Sequence, residues 1–230
     1  IFKKLKCRIE IQFKKIGFTP KLVIFDLDGT LVDSASDIQH ALNNALSELG
    51  LESVTEYDVR RWVGRGASRL VSCVLEAKHY RKELHDELLA VFMRHYQAEV
   101  CLNSQVYEGV AEFIAACQKE NIKLACVTNK PYAPAKALLE ALNILQPFQL
   151  LVGGDTLPHK KPHPEPFLHC LRYFDVSAKD TLVLGDSRND VEAALAAHIP
   201  CVAVSYGYNH GEPIEACKPE WIVDSLVELL

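Results

Sequence analysis

The chain has 230 residues, 49% of them hydrophobic, and a formal net charge of −5 at pH 7. This length suits one large domain or one domain with an insertion, and the hydrophobic share is enough for a sizeable core. The acidic balance argues against a nucleic-acid or anionic-membrane partner, because both require a basic surface. No apolar run approaches the length of a membrane span, and the eight cysteines show no paired spacing. We therefore predict a cytoplasmic protein with reduced thiols.

Residues 1–18 differ from the rest of the chain. Six lysines and arginines crowd this segment against a single acid, Glu10. Charges interrupt every apolar stretch, so it does not match a secretory signal. Ile9, Ile11 and Phe13 alternate with polar residues, which allows a short strand. We interpret residues 1–18 as a basic N-terminal extension or edge strand without a catalytic role; the alternative is a basic arm for a partner.

Short apolar runs alternate with helical patterns along most of the chain. The runs predict buried strands at 22–25, 124–127, 150–152, 181–184 and 201–204. The helical patterns lie at 110–120, 134–143, 164–174 and 190–198. Strands that alternate with helices of this length indicate βαβ units. We predict an α/β fold with a Rossmann-like, doubly wound parallel sheet, covered on both faces.

The long segment between Thr30 and Gly109 shows helical patterns and no strong strand pattern. Four helices are predicted there: one with an apolar face from Ile38 to Leu49, one capped by Thr55 and Asp58, one over 67–78, and one over about 84–96. We predict a helical cap at 34–103, inserted into a core formed by residues 19–33 and 104–230. Since it follows an acidic loop directly, this cap is a candidate lid.

The predicted second and third helices are separated by Gly64-Arg65-Gly66. A loop with two glycines can approach a ligand closely, and Arg65 can then contact an anionic group. The alternative is a helix–helix turn with a solvated arginine. Residue pattern alone does not separate the two interpretations.

The acidic loop is Asp26-Leu27-Asp28-Gly29-Thr30, directly after the first predicted strand. It places two carboxylates at a strand's C-terminal end, where open α/β sheets bind ligands. Two acids this close repel each other unless a cation or a proton is present. The loop suits a carboxylate nucleophile, a neighbouring acid/base and a hard metal ion.

Three more polar segments are notable: two follow predicted strands, and one lies in a loop that prolines stiffen. They are Thr128-Asn129, Lys161 among prolines, and Asp186 with Asp190. Each alone is explained by a turn, a surface charge or a helix cap. Together they are more informative, because the C-terminal ends of parallel strands share one edge of the sheet. Asp186 then joins the acidic loop as an oxygen ligand of the kind Mg²⁺ prefers, while Thr128 and Lys161 supply donors and positive charge for a phosphoryl group.

The order and spacing of these segments resemble the four motifs of the haloacid dehalogenase superfamily, from about Lys21 to the C-terminus. The longer segments are similar to the phosphoglycolate phosphatase group within it. Those segments are 25–34, 127–131, 160–164, 185–190 and 206–212.

The resemblance implies a role for each acid of the site. Asp26 would attack phosphorus and form an aspartyl-phosphate, and Asp28 would act as general acid and then general base. Mg²⁺ would be bound by the Asp26 carboxylate, the Asp28 backbone carbonyl and Asp186. Asp190 would orient Lys161 or a metal-bound water.

The resemblance also implies how the phosphoryl group is held. Lys161 would neutralise charge on the nucleophile and on the phosphoryl oxygens. Thr128 and Asn129 would bind phosphate through their side chains and backbone N–H groups.

The activity implied is Mg²⁺-dependent hydrolysis of a small phosphate monoester, with 2-phosphoglycolate as the leading substrate. The acid at Asp28 favours a phosphatase or phosphomutase over a dehalogenase, which has no leaving alkoxide to protonate. The alternatives are a phosphatase of a sugar phosphate or pyridoxal phosphate, a sugar phosphomutase, and a regulatory binding protein on the same fold. The expected partner is a small phosphate ester, and the expected state is a monomer or homodimer.

Overall fold

A computed structural model describes Phe13 and residues 15–230 of the chain. The strand pattern at Ile9 and Ile11, and most of the basic extension, lie outside the described residues. Phe13 is fully buried and packs edge-on against Phe113, with ring centroids 6.1 Å apart. The described end of the extension therefore contributes an aromatic ring to the core.

A six-stranded parallel sheet lies at the centre of the fold, as the strand–helix alternation predicts. Its strands are β1 (Leu22–Phe25), β4 (Lys123–Val127), β5 (Leu150–Val152), β6 (Thr181–Gly185), β7 (Cys201–Val204) and β8 (Trp221–Val223). Their order across the sheet is β5-β4-β1-β6-β7-β8, with every pair parallel. A separate antiparallel pair joins β2 (Val32–Asp33) to β3 (Gln105–Val106). The sequence patterns predict neither this short pair nor β8.

Strand β1 occupies the middle of the sheet and is buried on both faces. Val23 and Phe25 pack into one hydrophobic cluster, and Leu22 and Ile24 pack into another. The alternation follows from the two-residue repeat of a strand. Burial of each such side chain stabilises the fold by about 1.5–3 kcal/mol. Helices α5 (Val110–Lys119), α6 (Tyr132–Ala141), α7 (Glu165–Phe174) and α8 (Arg188–Ala196) cover the two faces.

The register of the sheet aligns the strand ends that carry the polar segments. Phe25 is paired with Cys126 on β4 and with Leu184 on β6. The chain therefore leaves β1, β4 and β6 at nearly the same level of one edge. Asp26 follows the first of these strands directly, so neighbouring strand ends surround it.

Four helices lie between β2 and β3, as predicted. They are α1 (Ala35–Glu48), α2 (Glu56–Trp62), α3 (Ala67–Ala77) and α4 (His85–Ala98). They bury a hydrophobic cluster of their own, which includes Leu42, Leu46, Val71 and Leu88. The predicted capping of α2 is confirmed, because Asp58 N–H donates to Thr55 Oγ1 at 3.2 Å and the Asp58 carboxylate accepts from Thr55 N–H. No helix in the described part of the chain has both the length and the apolarity needed to span a bilayer.

The junction between α1 and the return to β3 is organised by one buried carboxylate, Asp37. It accepts backbone N–H bonds from Leu102 (3.0 Å), Asn103 (2.9 Å) and Ser104 (2.8 Å), and a bond from the Ser104 hydroxyl. Burial alone would raise the pKa of Asp37, but these hydrogen bonds outweigh it and hold the pKa below its usual value. Asp37 therefore joins the start of the helical segment to its end.

We expect Asp37→Ala to lower the free energy of unfolding by about 2–3 kcal/mol at pH 7, because hydrogen bonds to a charged group are lost and buried donors lose their acceptor. The folded pKa lies below the unfolded value of about 3.9, so this stabilisation is present above that pH and declines as pH falls through the folded pKa. Urea unfolding of both proteins at pH 7 and at decreasing pH measures the difference.

The matched control is Asp86→Ala, because the Asp86 side chain is fully exposed (100%). Its effect should stay within about 0.5 kcal/mol. Equal losses from the two substitutions would contradict the role given to Asp37.

Candidate active site

The acidic loop turns sharply at the C-terminal end of β1. Asp26 N–H still donates to the Leu184 carbonyl of β6 at 2.9 Å, so the first acid continues the sheet. Gly29 then adopts a φ of +91°, a conformation that favours glycine. The turn returns the chain towards β2, and Asp26 and Asp28 both line one cavity above the sheet edge.

Lys161 is the cation that contacts Asp26. Its ammonium lies 2.8 Å from Asp26 Oδ1, 2.6 Å from Asp190 Oδ1 and 2.8 Å from the Val127 carbonyl. These three acceptors match the three ammonium donors. Burial opposes the charge of Lys161, but the two carboxylates outweigh it and raise its pKa. The two carboxylates therefore favour the charged form of Lys161 and fix its position, and its predicted contact with the Asp26 side chain is present.

Asp190 serves two partners at once. It lies in the first turn of α8, where Oδ2 accepts from the backbone and hydroxyl of Ser187 at 3.1 and 2.7 Å. Its other oxygen accepts from Lys161. The sequence left open a helix-capping acid or an acid that orients Lys161, and the structure shows both contacts in one side chain.

Asp186 is held by donors from two other segments. Thr30 Oγ1 donates to Oδ1 at 3.1 Å, and the Tyr208 backbone N–H donates to Oδ2 at 2.7 Å. Burial and the charge of Asp190 raise the pKa of Asp186 to about 7, despite these donors. The carboxylate is therefore fixed in orientation but short of positive charge.

Asp26, Asp186 and Asp190 form a buried carboxylate cluster, with one oxygen of each within 4.8 Å of the others. Burial raises the pKa of Asp26 well above its ordinary value, Asp190 and Asp186 add to the rise, and Lys161 opposes it. Three carboxylates around one ammonium leave an excess of negative charge. All-oxygen donors with this excess suit a hard divalent cation, so the side chains present fit such an ion.

Asp28 has a cation of its own, Lys130, which the sequence analysis did not single out as a site residue. The Lys130 ammonium lies 2.7 and 2.8 Å from the two Asp28 carboxylate oxygens and 4.8 Å from the centre of the Tyr96 ring on α4. Burial opposes its charge, but Asp28 and Tyr96 raise its pKa. The sequence feature that indicates Lys130 is its position, because it directly follows Thr128 and Asn129.

Ser34 is a second residue whose contact was not foreseen. It precedes α1, as expected of a cap, but its hydroxyl makes no capping bond to that helix. The hydroxyl instead donates to Asp28 Oδ1 at 2.5 Å. Asp28 is therefore held on one side by an ammonium and on the other by a hydroxyl.

Thr128 and Asn129 both lie at the site, in different surroundings. Thr128 Oγ1 accepts from Lys130 N–H at 3.1 Å, and its hydroxyl proton can still be donated to an anion. The Asn129 amide nitrogen donates to the carbonyls of Gly64 and Lys161, each at 2.9 Å. Asn129 thus joins two loops, and phosphate binding by its side chain stays a prediction.

The loop 64–66 lies against the core at the cavity. Besides Asn129, the Asn189 amide donates to the Gly64 carbonyl at 3.1 Å. Gly64 and Gly66 line the cavity, whereas the Arg65 side chain between them is exposed. The loop therefore lies at the cavity, and its approach to a ligand and anion binding by Arg65 stay predictions.

The family model of haloacid dehalogenase-like hydrolases matches residues 23–204, a span that contains the whole carboxylate cluster. The chain belongs to the haloacid dehalogenase-like hydrolase family. This membership and the α/β fold confirm the predicted resemblance. The four polar segments of this hydrolase meet at one edge of the sheet, as their spacing predicts.

Relatives with a named activity match nearly the whole hydrolase. The phosphoglycolate phosphatase of Colwellia psychrerythraea is 39% identical over 91% of this chain and 95% of its own length. That of Pseudomonas savastanoi pv. phaseolicola is 43% identical over 93% of this chain and 80% of its own. A crystal structure of a predicted phosphoglycolate phosphatase from Haemophilus somnus superposes with a TM-score of 0.85 at 35% identity, covering 91% of this chain and 96% of that one.

We expect Gly29→Ala to weaken divalent-cation binding about 10- to 100-fold, as other losses of ligand orientation do. A Cβ at Gly29 would collide with the Asp186 carboxylate and displace it. The measurement is the rise in Tm across a titration with Mg²⁺.

Gly50→Ala is the matched control. Gly50 also has a positive φ (+67°), but a Cβ there has no neighbour within 4 Å. It should cost backbone strain of about 1 kcal/mol without changing cation affinity. If Mg²⁺ raises the Tm of Gly29→Ala as much as that of the wild type, Asp186 does not contribute to cation binding.

Proposed function

We propose that this hydrolase is a Mg²⁺-dependent phosphatase that converts 2-phosphoglycolate and water to glycolate and phosphate. The observation that carries the proposal is the buried Asp26 carboxylate beside the fixed Lys161 ammonium, at the floor of a cavity that Asp28 also lines. The named relatives support the choice of substrate. Cytoplasmic location and a monomeric or homodimeric state stay predictions.

In the first step, an Asp26 carboxylate oxygen attacks phosphorus. A bond forms between that oxygen and phosphorus while the bond between phosphorus and the ester oxygen breaks, which leaves a phosphoryl group on Asp26. Lys161 reduces the repulsion between the carboxylate and the anionic substrate, because its ammonium already contacts Asp26. Asp190 keeps this ammonium in place.

Asp28 handles the proton in both steps. It gives a proton to the leaving alkoxide of glycolate and then takes a proton from the water that attacks phosphorus. The second attack breaks the bond between phosphorus and Asp26 and releases phosphate. The Thr128 hydroxyl, next to this loop, is the proposed donor to a phosphoryl oxygen.

Asp26, Asp186 and the backbone carbonyl of Asp28 are the groups we assign to Mg²⁺, and Asp190 orients Lys161 beside them. When bound, the ion stabilises the negative charge that develops on the phosphoryl oxygens. Burial raises the pKa of Asp26, and a cation bound beside it would favour the ionised carboxylate that the attack requires.

We also propose that residues 34–103 act as a cap over a core of residues 19–33 and 104–230. The four helices share a hydrophobic cluster, and side chains from α3 and α4 form the roof of the cavity. Such a cover excludes water from the phosphoryl group, except for the one molecule that Asp28 deprotonates in the second step. We expect a bound phosphate analogue to slow amide hydrogen exchange at residues 64–66. An exchange rate that does not change would argue against this cover.

The test is a set of steady-state rates on phosphate esters. We expect kcat/KM to be highest for 2-phosphoglycolate, compared with glucose 1-phosphate and pyridoxal phosphate, to vanish with EDTA and to return with Mg²⁺. In Asp26→Asn, kcat should fall at least about 10⁴-fold, because the nucleophile is lost. An acid-quenched reaction with labelled substrate should show phosphoryl-enzyme only in the wild type.

Asp86→Asn, at an exposed position, is the matched control and should keep full activity. Undiminished turnover by a folded Asp26→Asn protein would remove the nucleophile assignment. A far higher kcat/KM for a sugar phosphate would show that 2-phosphoglycolate is not the preferred substrate. Isomerisation without phosphate release would indicate a mutase. A protein inert towards every ester would indicate a binding protein.

A further inference from the structure

The cavity that Asp26 and Asp28 share has an uneven distribution of charge. Of the described residues that line it, Lys130 is the single cation, and the two acids are the only anions. Lys161 contacts Asp26 but does not itself line the cavity. Both lysines are buried, and only Lys130 reaches the cavity wall. Any anionic group on the substrate other than its phosphoryl group therefore meets one positive charge in this space, that of Lys130.

The remaining wall of the cavity is largely apolar. Ile38, Leu70, Phe92, Met93 and Tyr96 contribute to it from the helical segment. A carboxylate that enters such a space loses its water and gains little from these side chains. It binds there only if a charged donor replaces the lost hydration.

The position of Lys130 fits the geometry of a phosphorylated 2-hydroxy acid. The proposed proton transfer places the ester oxygen of the substrate against Asp28. In 2-phosphoglycolate the carboxylate carbon is two bonds from that oxygen. The Lys130 ammonium contacts both oxygens of Asp28, so a group this close to the ester oxygen lies near the ammonium.

Lys130 also has the capacity to bind a second carboxylate. An ammonium has three donors; its bonds to Asp28 use two of them, and the third has only the neutral Tyr96 side chain beside it, whose ring centre is 4.8 Å away. A carboxylate is a stronger acceptor for that donor than a neutral phenol or ring. Asp28 in turn accepts from the Ser34 hydroxyl. If Lys130 shifts towards a substrate, Asp28 therefore keeps a hydrogen-bond donor.

We propose that Lys130 binds the carboxylate of the substrate and so selects phosphate esters that carry an acid beside the ester carbon. This inference rests on the proposed phosphatase activity and assigns its specificity to one side chain. The loop after β4 then carries two functions in neighbouring residues: Thr128 for the phosphoryl end and Lys130 for the acid end.

The test compares 2-phosphoglycolate with 2-hydroxyethyl phosphate, in which CH₂OH replaces the carboxylate. For the wild type, we expect the kcat/KM ratio of the two esters to favour 2-phosphoglycolate by about 10- to 100-fold, as a charged hydrogen bond implies. In Lys130→Met the ratio should fall to near one. Any effect of the substitution through Asp28 changes both rates equally and cancels in the ratio.

Four control variants separate the possible outcomes. Lys136→Met, on the exposed face of α6, should keep the wild-type ratio. Lys130→Gln replaces Lys130→Met if the latter does not fold, and it should also lower the ratio. Arg65→Gln and Lys160→Gln test two further cations at the loop 64–66. A ratio that collapses in either of them but survives in Lys130→Met would overturn the proposal.

The result for the wild type distinguishes failure of this inference from failure of the proposed activity. A wild-type enzyme that hydrolyses both esters equally well overturns carboxylate recognition but leaves the phosphatase intact. One that hydrolyses neither overturns the phosphatase and this inference with it. A folded Lys130→Met enzyme that is slower on both esters with an unchanged ratio shows that Lys130 only positions Asp28, and the proposal fails.

Discussion

The site depends on one buried ammonium, that of Lys161, between the carboxylates of Asp26 and Asp190. Removing the two acids from water is costly, and the shared cation offsets that cost only because it touches both. The Val127 carbonyl accepts its third proton and fixes the ammonium against the end of β4. One side chain from a proline-rich loop thus joins the ends of β1 and β4 to the first turn of α8. The position of the Asp26 carboxylate is consequently set by the end of the sheet.

A second ion pair, between Lys130 and Asp28, repeats this arrangement a short distance away. The two pairs differ in what surrounds them. Lys161 is enclosed by polar atoms of the core, whereas Lys130 lies beneath the Tyr96 ring and faces the cavity. A cation held by a single carboxylate and a ring is the more available of the two for a ligand. The different roles that we propose for the two lysines rest on this difference in surroundings.

Much of the fold was predictable, because the central strands are continuous apolar runs with turn residues after them. Predicted and observed bounds agree for β1, β5 and β7. The β2–β3 pair was missed because runs of two residues are too short to show a period. Strand β8 was missed although it is as long as β5. The acids of the site were found because each follows a strand or opens a helix. Lys130 and Ser34 were missed because their roles arise from contacts across the fold, and a serine before a helix is ordinarily a cap.

The Gly64 carbonyl accepts from two amides at once, Asn129 after β4 and Asn189 at the start of α8. These donors belong to different polar segments of the site, one beside Thr128 and the other beside Asp190. The Gly64 carbonyl therefore holds the helical segment to the core through two hydrogen bonds. Any movement of Gly64 away from the core would break both bonds, so the anchoring of the helical segment and the positions of these two polar segments are coupled through one carbonyl oxygen.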